Sequence, residues 1–155
     1  MKKLFVKLQV PVIELKVTAK DASGARDNLV VGFKRYETVE SDKQLKLFQE
    51  ALQDQIDSIK NEVESTVTED FIKKNIVYLR NLELELLDED DKPSRLSVND
   101  TRKAKPVTDL WENPEECLET LLDLLLASAP YKSVLISSLQ KALVNVDYED
   151  DTVKN

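Results

Sequence analysis

The apolar residues of this chain keep changing their period, and that alternation limits the fold more than any motif does. From Leu4 they occupy even positions, Leu4, Val6, Leu8, Val10 and Val12, and then odd ones, Ile13, Leu15, Val17 and Ala19. A period of two marks a half-buried strand, and the change of phase beside Pro11, which lacks a ladder donor, predicts a bulge or bend there. Lys20 to Asn28 is rich in Asp, Ser, Gly and Asn and reads as a long, mobile connection to a second strand, Leu29 to Tyr36.

The period then lengthens. Ser41 with Gln44 has the form of a capping box, and Leu45, Phe48, Leu52, Ile56, Ile59 and Val63 recur every three or four residues. That spacing predicts a helix of about 22 residues with a continuous apolar stripe. A shorter helical turn is expected from Thr68, anchored by Phe71 and Ile72. Alternation returns at Ile76, Tyr78, Leu82, Leu84 and Leu86; Asp88 to Ser94 is a turn, and Leu96 and Val98 mark a return strand. After a linker, Arg102 to Thr108, Asn113-Pro114-Glu115-Glu116 combines an N-cap, an N1 proline and a capping-box glutamate. Ser128-Ala129-Pro130 separates that helix from a second one reaching about Val144. The expected fold class is α+β: antiparallel β-hairpins packed with a long amphipathic helix, followed by a C-terminal helical hairpin. One domain is expected over residues 1–155, divisible into a strand-rich region over residues 1–105, the helical hairpin over 106–146 and a flexible acidic tail over 147–155.

Much catalytic chemistry is closed to these residues. There is no histidine, one cysteine, Cys117, and two glycines, Gly24 and Gly32. Histidine-activated nucleophiles, histidine-bearing metal motifs and glycine-rich phosphate loops are therefore out of reach. The formal net charge of −8 opposes unspecific binding to nucleic acid or to an anionic membrane. The basic start Met1-Lys2-Lys3 is not followed by a long apolar core, and the greasiest stretch, Leu118 to Ala129, is too short and too interrupted to span a bilayer. With a lone cysteine, this predicts a cytoplasmic protein without a membrane segment.

The remaining clusters have plain readings. Asp88-Glu89-Asp90-Asp91 lacks the ligand spacing of a calcium loop and reads as a solvated hairpin tip, as Glu149-Asp150-Asp151 reads as tail. Glu83 and Glu85 share a strand face, but thirty acidic residues make such pairs by chance. Cys117 reads as core filler, and Arg102, Lys103 and Lys105 as a solvated linker. No metal, cofactor or catalytic residue is expected. The leucines carry more weight: Leu121, Leu122, Leu124, Leu125 and Leu126 wrap nearly round one helix, more than a single core-facing stripe requires. Partner binding is accordingly expected at Trp111, Leu121, Leu124, Leu125, Leu126 and Tyr131, with self-association as a further possibility.

Val31-Gly32-Phe33-Lys34-Arg35-Tyr36 and the segments Leu110-Trp111-Glu112-Asn113-Pro114-Glu115-Glu116-Cys117-Leu118 and Leu139-Gln140-Lys141-Ala142-Leu143 resemble the tail assembly chaperones of tailed bacteriophages. The resemblance implies a non-enzymatic protein of the host cytoplasm. Its partner would be the helical tape measure protein, kept soluble until tail tube subunits polymerise around it. The alternative function is an acidic phage-encoded inhibitor of a host nuclease or defence complex, either imitating DNA phosphates or blocking a protein surface. The acids here are spread over every segment, which disfavours mimicry.

Overall fold

The computed structural model describes residues 12–21 and 24–144. The expected strand from Leu4 to Pro11 and the acidic tail 147–155 lie outside them. The fold is α+β. Strands β1 (Val12–Asp21) and β2 (Gly24–Lys34) lead into helices α1 (Thr38–Lys60) and α2 (Val67–Asn75). Strands β3 (Ile76–Leu87) and β4 (Pro93–Asp100) follow, then a 3₁₀ turn (Thr101–Lys103) and helices α3 (Pro114–Leu126) and α4 (Ala129–Val144). The strands form one antiparallel sheet in the order β1-β2-β3-β4, so the two hairpins are joined edge to edge through β2 and β3.

The expected long connection at Lys20 to Asn28 is corrected. Ala19 pairs with Arg26, Lys20 with Ala25 and Asp21 with Gly24, so most of that segment belongs to the ladder. Polar composition does not stop a ladder whose bonds are made by backbone groups alone, and a register shift after Val17 absorbs the irregularity.

Strand β3 departs from simple alternation twice. Gly32 pairs with Tyr78 and Phe33 with Ile76, so Val77 is an extra residue in a bulge, and Asn81 takes a left-handed φ of 57°. The two kinks bring Ile76, Leu79 and Leu82 all into the core, while Tyr78 falls on the opposite face.

Helix α1 begins one turn before the expected Ser41 cap. Ser41 lies inside the first turn, and its hydroxyl donates to the Leu143 carbonyl near the end of α4. The capping box with Gln44 is therefore absent, because the hydroxyl ties two helices together instead of capping one. The cap at Asn113 does form: Asn113 Oδ1 accepts from the Glu116 N–H at 2.9 Å, and the Glu116 carboxylate reaches back to accept from the N–H of Glu112, one residue before the cap, at 2.9 Å.

At its other end α1 closes in a Schellman motif. The Val63 N–H donates to the Ser58 carbonyl and the Glu62 N–H to the Ile59 carbonyl, with Glu62 at φ 56° where glycine is the usual residue. A left-handed glutamate is strained by roughly 1 kcal/mol. Glu62→Gly should therefore raise the unfolding free energy by about 0.5–1 kcal/mol in urea denaturation, and no gain would contradict the strained cap.

Candidate functional site

The six residues expected to bind a partner fall on both sides of the surface. Trp111, Leu121, Leu125, Leu126 and Tyr131 are buried, and Leu124 alone is exposed, at 36%. The expected leucine surface is thereby corrected. Successive helical residues turn by about 100°, which puts Cys117, Leu121, Leu125, Leu118, Leu122 and Leu126 on roughly half the circumference of α3. That arc is covered from several sides. Helix α2 is tied to α3 by a Lys73–Asp123 ion pair and to α4 by Lys132–Glu69. The 3₁₀ turn packs on α3 as well, and the axes of α3 and α4 turn through 110°, an open hairpin in which α4 reaches back to β1 and α1. Glu119 and Asp123 occupy the solvent side.

Trp111 is instead buried, where it fastens the linker ahead of α3. Its backbone pairs with Val107, and its indole N–H donates to the Lys105 carbonyl at 2.8 Å. Cys117 is fully buried, and that burial pushes its thiol up to about 11, so it is core filler and not a nucleophile.

Surplus apolar surface exists, but on α1. Its stripe is continuous in sequence, yet only its first half is covered: Phe48 and Ala51 are buried, and Phe48 stacks on Phe71 with ring centroids 5.2 Å apart. Further along, Leu52 is half-buried, Ile56 is exposed, and Ile59 and Val63 reach 69% and 60% exposure. The intervals of four and three put Leu52, Ile56 and Ile59 on one ridge, and Val63 follows just past the end of the helix. Val67, at the start of α2, is exposed too. Geometry explains the overhang: 23 helical residues span about 34 Å, whereas the nine of α2 span about 13 Å. From Glu50 to Glu64 the chain carries Glu50, Asp54, Asp57, Glu62 and Glu64 with only Lys60 to oppose them, the three helical acids on the face of α1 behind the ridge. Periodicity finds the stripe and misses its exposure, for which the shortness of the segment beginning at Thr68 is the available signal.

A polar cluster covers the face of the sheet turned away from the core. The Tyr78 ring lies over Gly32, where an added Cβ would come within 2.5 Å of the ring carbons. The Arg102 guanidinium sits 3.8 Å above that ring and bonds Asp100, while Arg80 bonds Glu14. Tyr78 donates its hydroxyl to Glu14, and burial together with that bond pushes the phenol up to about 12. The same bond, with Arg80, holds the Glu14 carboxyl below its ordinary value. Each charge here has a partner, so the cluster braces the sheet.

Among the described residues no group of three or more His, Cys, Asp and Glu side chains could hold a metal ion. No single described helix is long and apolar enough to cross a membrane; α3 and α4 pass by length only as a pair bent through 110°. No protein family, characterised protein or solved structure matches the chain.

This packing can be tested at two positions. Leu126→Ala should cost about 2–5 kcal/mol in denaturant unfolding, whereas Leu124→Ala should cost well under half as much; equal losses would contradict the burial. Tyr78 has a raised folded pKa, so its neutral ring contributes stability that is complete below pH about 10 and is lost as pH rises from about 10 to about 12. Tyr78→Phe should remove that component of the alkaline decline in urea midpoints, and an unchanged pH profile would contradict the assignment.

Proposed function

We propose that this protein is a non-enzymatic assembly factor that holds a helical client, and that the overhanging end of α1 is the surface that holds it. The observation that carries the reading is the ridge of Leu52, Ile56 and Ile59, an increasingly exposed seam of four-and-three spacing on a helix whose other half is packed into the core, with exposed Val63 just beyond its end. Exposed apolar seams of this kind suit the docking of an amphipathic helix, with side chains three and four residues apart as anchors. The net negative charge of this end of α1, carried on the face behind the seam, favours a client helix bearing lysine and arginine and opposes the pairing of two copies through the same seam. A tail assembly chaperone with the tape measure protein as client, working in the host cytoplasm, accords with this surface and with the resemblance in the sequence. The seat of binding is moved from the leucines of α3 to α1.

The test uses a synthetic amphipathic helical peptide with a leucine stripe and lysine flanks. Wild-type protein should bind it saturably in titration calorimetry. Ile56→Ser with Ile59→Ser should weaken binding by about tenfold or more while the melting temperature stays within a few degrees, since both side chains are already in water. Undiminished binding by that variant would refute the α1 assignment, and binding equally well to a glutamate-flanked peptide would refute the charge selection.

A further inference from the structure

A second surface differs from α1 in both charge and geometry. Strand β4 is an edge of the sheet, and among the described residues no strand pairs with its outer side. Pro93 and Arg95 protect the half of that edge nearest the hairpin tip, in the usual manner of proline and charge on edge strands. The other half, Ser97 to Asp100, borders a cleft of about 430 Å³ between the strand and the segment leading to Trp111. Val98, Ala104, Val107 and Trp111 give the cleft an apolar floor, and Lys103 and Lys105 line it with charge. Neither lysine has an ion-pair partner among the described residues. From Pro93 to Val107 the chain carries Arg95, Arg102, Lys103 and Lys105 against Asp100 alone, in a protein of net charge −8.

We propose that this edge takes up an extended, acidic segment of a partner protein, added as a fifth strand beside β4. The main chain of the segment bonds the open edge, one apolar side chain enters the cleft above Val98 and Trp111, and neighbouring carboxylates meet Lys103 and Lys105. Charge complementarity fixes the class of occupant: a basic segment is repelled by the two lysines. Nucleic acid is disfavoured by the overall negative charge and by the burial of Trp111, which leaves no tryptophan face for a base. The site is separate from the α1 ridge and does not depend on the proposed function.

The only tryptophan of the chain lines the cleft, so its emission reports occupancy directly. The probe is a peptide of eight residues, alternating glutamate and valine, added to the full-length protein at low salt. A saturable change in Trp111 emission is expected, with amide shifts in nuclear magnetic resonance concentrated between Ser97 and Val107. Lys103→Glu with Lys105→Glu should weaken binding by about tenfold or more with the melting temperature unchanged, both side chains being exposed. The same peptide N-methylated at alternate residues on its bonding edge should not bind. The proposal is overturned by equal binding of a lysine–valine peptide, by preference for single-stranded oligothymidylate, by insensitivity to the charge reversal, or by amide shifts located elsewhere.

Discussion

Half the circumference of α3 is apolar, and the arrangement of the other helices follows from the need to cover it. A single antiparallel neighbour shields one stripe of a helix, about 100° wide, so a simple hairpin with α4 would leave leucines in water. The structure solves this by opening the pair to 110° and placing α2, α4 and the 3₁₀ turn on different sides of α3. Two ion pairs from α2, Lys73–Asp123 and Lys132–Glu69, hold that enclosure at its rim. Because α4 is turned outward, its last residues meet the start of α1, where Ser41 donates to the Leu143 carbonyl. The beginning of α1 is thereby fixed to the body and its far end projects beyond it. The exposed ridge is thus a consequence of how α3 is buried.

Local features of this kind are legible in unequal measure. The helices and strands can be read because each has its own apolar period, and the Asn113-Pro114-Glu115-Glu116 cap forms as expected, since capping is decided within a few residues. The capping box at Ser41 has the same local form and fails. A carbonyl 102 residues away, that of Leu143, takes the hydroxyl, and no local pattern can announce that bond. The leucines of α3 mislead for a related reason. Periodicity reports how wide an apolar face is, not how many neighbours will cover it, and the same width fits a central helix or an exposed one. The long stripe of α1 is plain in the sequence, whereas its exposure depends on the length of α2 beside it, which is a property of the assembled fold.

The β3 strand shows the same limit from the opposite side. Leu79 and Leu82 are three apart and share one face only because Asn81 adopts a left-handed conformation, and Ile76 and Leu79 share it only because Val77 bulges. Asparagine is among the few residues that tolerate that conformation, so its presence permits the kink without dictating it. The kinks put Tyr78 on the far face, where Gly32 makes room beneath it and Arg102 closes over it. The Thr101 hydroxyl then accepts from the Leu79 N–H at 3.1 Å, satisfying a strand donor where the ladder to β4 ends. The course of the chain out of β4, and with it the cleft before Trp111, is anchored by that bond and by the stack.

Two surfaces of opposite character result, an acidic apolar helix end and a basic strand edge beside an apolar cleft. Opposite charges on one molecule ordinarily invite head-to-tail association of copies, which does not close and leads to filaments. Here backbone chemistry opposes that outcome. The ridge of α1 has its N–H and C=O groups bonded within the helix and cannot complete the edge of β4, while β4 offers no groove shaped to a helix. Charge would bring the two surfaces together, but hydrogen bonding would leave the edge unsatisfied. On the two proposals, the mismatch leaves each surface to a partner with its own secondary structure: a helix for α1, an extended strand for β4.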